Sequence, residues 1–271
     1  MALVCYNIDM AKVYRTIFEA PNSPLPQNFV AEIPSRFDKE GTLIHNARNQ
    51  IRVFEVNGQA VNIKKYCFPP IVNRLLYSLG WRTPKAVATY QNALKILEKG
   101  FLTPKPYGYI LERTNGILGY SYFVSQQVQD MRPFGYGEHP AELIEALAQL
   151  TVNLHQKGLL HIDYTPNNIL YKKEEGKYVF SLVDINRFHF YNKTIPMGAV
   201  LTNLMKPFHD EQQLVQFVQV YARLRGLDET LCKKVLRRRH LRNAYDKFKR
   251  SLKKLPGAYL FLNKPLQNKN N

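Results

Sequence analysis

The spacing of two aspartates and one asparagine constrains this chain more than any other feature. Asp163 and Asn168 lie five residues apart in the segment His-Ile-Asp-Tyr-Thr-Pro-Asn-Asn, and Asp184 begins an Asp-Ile-Asn turn sixteen positions later. A carboxylate can accept a proton from a hydroxyl group, and Asp and Asn oxygens are hard ligands that suit Mg²⁺. The pattern therefore favours a site that binds metal-chelated phosphates.

The same spacing is typical of ATP-dependent phosphoryl transfer. Protein kinases place an Asn five residues after the Asp of the catalytic loop and begin a later turn with a second Asp. On this pattern we predict that Asp163 orients or deprotonates the acceptor hydroxyl, while Asn168 and Asp184 hold Mg²⁺. The alternative is that Asn167-Asn168, which follows a proline, is only a turn.

The segments around this loop follow the order of a kinase C-terminal lobe. Leucines recur at three- and four-residue steps in the segment Glu138–Gln156, which predicts a helix that ends at Lys157-Gly158. Ile169–Tyr171 and Tyr178–Val183 have the composition of two short strands joined by a charged turn. Together, the helix, loop, hairpin and Asp turn favour the catalytic interpretation over a chance turn.

A lysine in the first half of the chain is the expected phosphate contact. Asn57-Gly58 lies between two β-prone runs and predicts a tight hairpin. The second strand contains Val61-Asn-Ile-Lys64, which is close to the Val-Ala-Ile-Lys signature of kinases. Strand alternation puts Lys64 on the face opposite Val61 and Ile63. We predict that Lys64 binds the nucleotide phosphates, with the adjacent Lys65 as the alternative.

Two other elements of a kinase N-terminal lobe are altered in this sequence. The predicted helix Pro84–Lys99 should carry a Glu that pairs with the lysine. Either Gln91 replaces it with a neutral hydrogen bond, or Glu98 reaches the lysine from the last turn. The predicted nucleotide lid, Gly41–Asn49, lacks the Gly-x-Gly-x-x-Gly pattern. Arg48 is either a charged contact to phosphate there or only a surface charge.

Taken with these motifs, the chain resembles the lipopolysaccharide core kinases, the Kdo/heptose kinase or WaaP-like family. The stretches that carry the resemblance are Gly41–His45, Arg48-Asn49, Val61–Lys64, Ala93–Leu97, Gly100, Thr103-Pro104, Leu154-His155, Gly158, His161–Leu170, Phe180–Arg187, Asn203-Leu204 and Tyr221-Ala222. Asp163 and Asp184 match the family's catalytic and metal positions. The resemblance implies a protein-kinase-like fold and transfer of the ATP γ-phosphate to a sugar hydroxyl, on Kdo or heptose, of the lipopolysaccharide inner core.

We therefore predict an α+β, two-lobed protein-kinase-like fold. The predicted N-terminal lobe, residues 1–124, is small and β-rich, and the predicted C-terminal lobe, residues 125–271, is mainly helical. The boundary falls where a predicted strand ends, and Ser125–Gln129 is the expected hinge that contacts adenine. Gln127 and Val128 are accordingly predicted to bind the nucleotide.

The net charge of +17 is concentrated near the end of the chain. Cys232–Lys254 contains eleven Lys and Arg residues and a single acid, Asp246, with a partial apolar stripe. Such a helix can lie on an anionic bilayer, to which each basic residue adds about 1 kcal/mol of binding. We predict that Lys233–Lys254 binds the anionic inner surface of the cytoplasmic membrane, close to a lipopolysaccharide core acceptor. A solvated basic face and a nucleic-acid patch are the alternatives, but the catalytic motifs give nucleic acid no role.

Other features fit a cytoplasmic, membrane-peripheral enzyme that uses ATP and Mg²⁺. Met1–Tyr14 lacks a basic-then-apolar leader, and no apolar run is long enough to span a bilayer. The three cysteines are far apart and suit a reducing compartment. Two other functions stay open. One is a catalytically weak kinase-like binding module, and the other is a small-molecule phosphotransferase of the aminoglycoside type, whose cationic acceptors suit a basic chain poorly.

Overall fold

The computed structural model describes residues 4–8 and 13–252 of the 271-residue chain. These residues pack as two compact units. The first comprises the described residues through Tyr136 together with His161–Phe190. The second comprises Gly137–Leu160 and the described residues from Tyr191 onward. The predicted lobes, 1–124 and 125–271, are each continuous in sequence, whereas each packing unit combines two separate stretches of the chain. The division into lobes stays a prediction.

Among the described residues, a seven-stranded antiparallel sheet organises the first unit. Its strands are β1 (Val4–Ile8), β2 (Val13–Glu19), β3 (Thr42–Asn46), β4 (Gln50–Val56), β5 (Gln59–Tyr66), β6 (Pro106–Thr114) and β7 (Ile117–Gln126). They lie in the order β1-β2-β6-β7-β5-β4-β3. The shorter strands that follow are β8 (Arg132–Pro133), β9 (Leu159–His161), β10 (Ile169–Glu174), β11 (Lys177–Leu182) and β12 (Phe188–Phe190). β11, β10 and β8 form a small second sheet in this unit.

Helices cover both faces of the large sheet because its strands alternate two sets of apolar side chains. These helices are α1 (Phe29–Arg36), α2 (Ile71–Ser78) and α3 (Lys85–Glu98). Ile33 of α1 joins Val61 of β5 in one buried cluster. Tyr77 of α2 and Tyr90 of α3 join Leu118 of β7 in another. The sheet is thus held between α1 on one side and the α2 and α3 pair on the other.

The local predictions around the candidate motifs are confirmed. Asn57 (φ 51°) and Gly58 (φ 75°) both take the left-handed conformation that a tight two-residue hairpin turn needs. The predicted strands after the loop are β10 and β11, and the predicted helix at Pro84–Lys99 is α3. The helix predicted from Glu138 begins later, as α4 (Ala141–Gln156), because Pro140 holds the extended conformation that precedes it.

A buried histidine joins three helices of the second unit. Besides α4, this unit contains α5 (Met197–Leu204), α6 (Glu211–Arg225) and α7 (Thr230–Leu252). Nδ1 of His155 lies 2.9 Å from the Tyr221 hydroxyl, and Nε2 lies 3.1 Å from Oδ1 of Asn203. The Asn203 oxygen can only accept, so Nε2 carries the proton and Nδ1 accepts from Tyr221. Three separate stretches of the sequence resemblance therefore meet in one network.

The predicted basic segment forms most of α7, and Lys253 and Lys254 lie outside the described residues. Leu231 and Val235 of α7 are buried. Leu241, Tyr245 and Phe248, at spacings of four and three, are 57–63% exposed. The second half of α7 thus presents an apolar stripe among basic residues. Within the described part of the chain, every helix is too short or too polar to cross a bilayer.

Candidate active site

A cavity of about 640 Å³ in the first unit contains most of the predicted site residues. Its volume falls in the range of typical small-molecule sites. The lining residues that bear on function are Asn62, Lys64, Tyr66, Thr89, Gln126, Gln127, Val128, Asn168, Val183, Asp184 and Ile185. The structure thus brings together residues that lie more than a hundred positions apart in the sequence.

Lys64 and Asp184 form an ion pair in this cavity. Nζ of Lys64 lies 2.6 Å from Oδ1 of Asp184. Strand alternation accounts for the choice of lysine, because Val61 faces the α1 side and Lys64 faces the α3 side. Lys65 points away from the cavity and pairs with Asp38 at 3.0 Å. Lys64, and not Lys65, therefore lines the cavity, and its contact to phosphate stays a prediction.

Burial and ion pairing act in opposite directions on this pair. Burial disfavours the charged form of Lys64, but Tyr66 and Asp184 more than offset it, so the pKa of Lys64 is raised. Burial also opposes ionisation of Asp184, and the charge and hydrogen bond of Lys64 outweigh it, so the pKa of Asp184 is lowered. Both side chains are charged at neutral pH, as a contact to phosphate and a metal ligand need to be.

The loop that carries Asp163 is fixed by its own polar groups. Nδ2 of Asn168 donates to the Asp163 carbonyl at 2.8 Å, and the Asn168 carbonyl accepts from the Val183 N–H at 3.0 Å. His161 is buried, with Nε2 3.0 Å from the Val183 carbonyl and Nδ1 3.2 Å from the Asp163 N–H. His161 and Asn168 thus tie the loop to the strand that leads into Asp184. His161 acts here as a structural residue, since its two ring nitrogens contact the backbone of Val183 and of Asp163.

Asp184 adopts the left-handed backbone conformation, with φ 54°. This conformation costs a non-glycine residue about 1 kcal/mol or more, and such strain is concentrated at functional sites. The turn is held from α3, where Nδ2 of Asn92 donates to the Ile185 carbonyl at 2.8 Å. No role of Asn92 was predicted from the sequence. Its position three residues after the buried Thr89, on the inward face of the helix, was the available signal.

Neither residue predicted as the helix partner of the lysine bonds to it. Gln91 and Glu98 are exposed on α3, and neither is hydrogen-bonded to Lys64. The helix instead contributes Thr89, whose hydroxyl bonds the Tyr66 hydroxyl at 2.8 Å and the Lys85 carbonyl at 2.8 Å. The charge that balances the lysine comes from Asp184. The acidic partner of this lysine is thus supplied by the turn rather than by the helix.

The residues predicted as the hinge lie on the cavity wall. Oε1 of Gln127 accepts from Nδ2 of Asn62 at 2.6 Å, and Nε2 of Gln127 donates to the Val128 carbonyl at 3.0 Å. Asn62 lies two residues before Lys64 in β5 and lines the same cavity. Its amide now orients Gln127, which leaves the backbone from Gln126 to Val128 at the edge of the cavity.

Arg48 lies in a small neighbouring pocket and not among the residues that line the large cavity. Its Nε is 3.4 Å from Sγ of Cys67. Lys85 lines the same pocket, and its pKa is lowered by burial and by the positive charge of Arg48. Two cations thus lie close to each other beside Tyr66. A solvent-facing or phosphate-facing role of Arg48 stays a prediction.

An exposed arginine stands beside the predicted base. Nη1 of Arg187 lies 3.2 Å from Oδ1 of Asp163, and the Arg187 side chain is 63% exposed. An ion pair this exposed contributes at most about 1 kcal/mol to stability. The guanidinium can therefore exchange its partner for another anion at little cost, although neither Arg187 nor Asp163 is among the residues that line the cavity.

The donor set suits Mg²⁺ carried by a nucleotide. No cluster of three His, Cys, Asp or Glu side chains occurs in residues 13–252. Mg²⁺ does not need one, because it commonly takes one or two protein ligands and completes its shell with phosphate oxygens and water. Oδ1 of Asn186, two residues after Asp184, is buried and has no hydrogen-bond partner among the described residues. An unpaired acceptor of this kind costs roughly 1–3 kcal/mol unless a cation or a donor joins it.

No family model and no curated protein matches this sequence. Among solved structures, one described as WaaP in complex with acyl carrier protein is similar to this chain, with a TM-score of 0.53 and 17% identity. The match covers 80% of this chain and 97% of that one. A Rio2 kinase from Chaetomium thermophilum, in an ADP/Mg²⁺-phosphoaspartate complex, matches with a TM-score of 0.43 and 16% identity over 81% of this chain and 64% of that chain. With a TM-score of 0.43, the similarity to the Rio2 kinase is not used to assign the fold.

The chain has a protein-kinase-like fold. The predicted α+β class, with a β-rich N-terminal part and a helical C-terminal part, is confirmed. One similar structure of that class is WaaP, so the resemblance to the WaaP-like kinases is confirmed at the level of the fold. An identity of 17% does not extend this likeness to the substrate.

Proposed function

We propose that the protein is an ATP- and Mg²⁺-dependent phosphotransferase whose acceptor is a sugar hydroxyl, on Kdo or heptose, of the lipopolysaccharide inner core. One observation carries the proposal. Lys64, Asn168 and Asp184 line the same cavity as the hinge residues Gln127 and Val128. A cation, two oxygen donors and an exposed strand end are what a nucleotide and its metal need from a kinase-like site.

Each residue has a role that its contacts support. Lys64 would neutralise phosphate oxygens, and Asn168 and Asp184 would provide the protein's ligands to Mg²⁺. ATP with Mg²⁺ supplies the transferable phosphoryl group and the metal charge that stabilises it. Asp163 would orient the acceptor hydroxyl and accept its proton. The Asn168 amide would keep the Asp163 loop in place through its bond to the loop carbonyl.

The proposal is tested first by nucleotide binding. Thermal unfolding of the wild type and of Asp184→Ala should be followed while ATP is titrated with and without Mg²⁺. A stabilisation that needs Mg²⁺ and is lost in the variant supports the site, because only ligands bound to the folded state raise the unfolding temperature. Phosphate transfer from ATP to Kdo, heptose and core oligosaccharides then tests the acceptor. Normal turnover in Asp184→Ala would refute the metal assignment.

The acceptor proposal draws on the resemblance to the WaaP-like kinases and on the basic stripe of α7. Lys247, Lys249 and Arg250 are exposed beside the apolar Tyr245 and Phe248. This half of α7 would lie on an anionic membrane surface and bring the enzyme to a glycolipid acceptor. The test is charge reversal by Lys247→Glu and Lys249→Glu, which should weaken co-sedimentation with anionic vesicles.

Arg239 also belongs to the basic segment of α7, but reversing its charge would not test membrane binding alone. Its Nη2 donates to the His209 carbonyl, so a reversal at Arg239 would also disturb the packing of the second unit. Substitutions at Lys247 and Lys249 avoid this, since both side chains are exposed. Unchanged co-sedimentation of the double variant would refute a role of α7 in membrane binding.

A kinase-like binding module is the second candidate. The observation that favours it is the absence of an acidic residue from the inward face of α3, since Gln91 and Glu98 are both exposed. The two candidates differ in turnover and not in nucleotide binding. Binding of ATP without transfer to any core sugar, and without hydrolysis, would favour the module.

A further inference from the structure

The short helix α2 turns its apolar side chains outward. Ile71, Val72, Leu75, Leu79 and Trp81 are exposed by 73%, 62%, 49%, 62% and 78%. We call these five residues the α2 face. Ile71, Leu75 and Leu79 are spaced by four residues, and Leu79 caps the end of α2 in a helical conformation, so the three lie on one side of the helix. Monomeric soluble proteins rarely leave such a contiguous apolar surface uncovered without a binding role.

The opposite side of α2 is anchored by polar groups. Nε of Arg74 donates to the Leu118 carbonyl at 2.9 Å, and the Leu118 N–H donates to the Ser78 hydroxyl at 2.9 Å. Tyr77 is buried in the cluster beneath the helix. The helix is therefore fixed to β7 by a polar side, which leaves its apolar side facing out. This is the reverse of a usual surface helix.

The chain segment that carries the α2 face has charges of one sign. No Asp or Glu occurs in the sequence between Glu55 and Glu98. An exposed cation next to the face is Arg82, which stands over the Tyr77 ring and donates to Asn73, whereas Arg74 stands over the Phe68 ring on the anchored side. An apolar face among cations is complementary to a surface that is apolar inside and anionic outside.

We propose that the α2 face docks on an anionic lipid bilayer. Trp81 and the aliphatic side chains enter the boundary between headgroups and acyl chains, where tryptophan is enriched in membrane proteins. Arg82, which is exposed next to Trp81, lies at the level of the lipid phosphates. A second copy of this chain is a poorer occupant, because a two-fold contact would bring two acid-free cationic faces together.

This surface is separate from the stripe of α7, and the proposal does not depend on phosphotransfer. The two surfaces belong to different packing units of the chain. The α2 face contains the tryptophan Trp81, whereas the surface of α7 combines an apolar stripe with many basic residues and has no tryptophan. An experiment that reads the environment of α2 itself can therefore distinguish them.

The chain provides its own probe, because Trp81 is its single tryptophan. The full-length protein should be mixed with vesicles of phosphatidylcholine alone or of equimolar phosphatidylcholine and phosphatidylglycerol. With the anionic vesicles, Trp81 emission should shift to the blue and be quenched by lipids brominated on their acyl chains. Phosphatidylcholine vesicles should produce a much smaller shift.

Two leucines of equal exposure give a matched pair of variants. Leu75 is 49% exposed on the α2 face, and Leu94 is 47% exposed on α3. Leu75→Gln should lower the vesicle partition coefficient about tenfold, since a buried leucine contributes that much to partitioning. Leu94→Gln should leave the coefficient unchanged. Equal losses in both variants would overturn the proposal.

Three other results would also overturn it. Co-sedimentation with anionic vesicles without any change in Trp81 emission would assign binding to α7. A blue shift that depends on protein concentration and not on lipid would show that the face joins two copies. Failure to bind the vesicles at all would leave an acidic protein partner as the occupant to test.

Discussion

The ammonium group of Lys64 lies 2.6 Å from a carboxylate oxygen of Asp184, and the two residues come from the central sheet and from the turn after β11. In the kinase arrangement this lysine pairs with a helix glutamate and leaves the aspartate to the metal. Here one aspartate satisfies the lysine. A nucleotide with its metal would engage both partners of this pair, because phosphate oxygens can replace the carboxylate and Mg²⁺ can replace the ammonium.

Lys64→Met should abolish most of the nucleotide affinity. Charge-assisted hydrogen bonds contribute about 1.5–3 kcal/mol each. Loss of one such bond should raise the dissociation constant for Mg²⁺-ATP roughly 10–100-fold. Isothermal titration of the variant with Mg²⁺-ATP measures this directly. Wild-type affinity in Lys64→Met would remove this residue from the proposed site.

Lys65→Met is the matched control for this experiment. The two lysines are adjacent in β5, but Lys65 pairs with Asp38 and stacks on the Tyr120 ring, with 4.6 Å between Nζ and the ring centroid. This variant should unfold at a modestly lower temperature because the contact of the Lys65 ammonium with the Tyr120 ring is lost, whereas the unpaired Asp38 carboxylate is 67% exposed and stays hydrated. Its affinity for Mg²⁺-ATP should stay within a factor of about two, since Lys65 faces away from the cavity.

Asn92→Ala should loosen the turn that carries Asp184. The variant removes the donor to the Ile185 carbonyl, which costs about 1–2 kcal/mol. The part of ATP-induced stabilisation that depends on Mg²⁺ should fall more than the part that does not. Gln91→Ala, one residue earlier and exposed, should have no effect on either part. A larger loss in Gln91→Ala would restore it as the helix partner of Lys64.

Local sequence signals predicted the elements of the site well. Asn57-Gly58 fixed a hairpin register in which alternation decides where Lys64 points, and the structure follows it. The Asp163 loop and the hairpin β10–β11 also formed where turn residues and short apolar runs indicated. These features depend on a few neighbouring residues, so periodicity and turn chemistry are sufficient to find them.

Contacts between distant segments were harder to predict. The pairing of Lys64 with Asp184 joins residues 120 positions apart, and no local pattern in the sequence distinguishes Asp184 from Glu98 as the partner. Asn92 looked like an ordinary polar helix residue because its acceptor, the Ile185 carbonyl, belongs to another segment. The outward face of α2 was not predicted for a different reason. The apolar side of a helix normally packs on the core, so its sequence pattern does not indicate exposure.

Substitutions at the two aspartates should separate chemistry from binding. Asp163→Asn keeps the shape of the side chain and removes the proton acceptor, so phosphate transfer to a core sugar should fall about 10²–10⁴-fold while ATP still binds. Asp184→Asn should weaken Mg²⁺-dependent binding as well. Steady-state transfer assays, combined with ATP titration, distinguish the two patterns. Equal loss of ATP binding in both variants would contradict the separate roles.

Arg187→Ala provides a second comparison at the same position of the site. Its guanidinium is the partner of the Asp163 carboxylate at 3.2 Å. If Arg187 helps to hold an anionic acceptor or the transferred group, the variant should raise the KM for the sugar while the affinity for ATP stays unchanged. If Arg187 serves only as a counter-ion, both parameters should stay near the wild-type values.

The buried His155 should make the protein less stable in mild acid. Burial lowers the pKa of His155 to about 4, against an ordinary value of 6.5. Between these values the unfolded chain binds a proton that the folded protein excludes, so the free energy of unfolding falls as the pH falls, by about 1.4 kcal/mol per pH unit and about 3 kcal/mol in total. Urea unfolding at a series of pH values from 7 to 5 measures the slope.

The His155→Gln variant isolates this contribution. Glutamine does not titrate, and its amide can donate to Oδ1 of Asn203 as the imidazole does. The variant should be less stable than the wild type at neutral pH, because the imidazole packing and one hydrogen bond are lost. The difference in the free energy of unfolding between the two proteins should shrink as the pH falls from 6.5 to 5, because only the wild type is destabilised by proton binding to His155 in the unfolded chain. A difference that stays constant over this range would show that His155 is protonated as readily in the folded protein as in the unfolded chain.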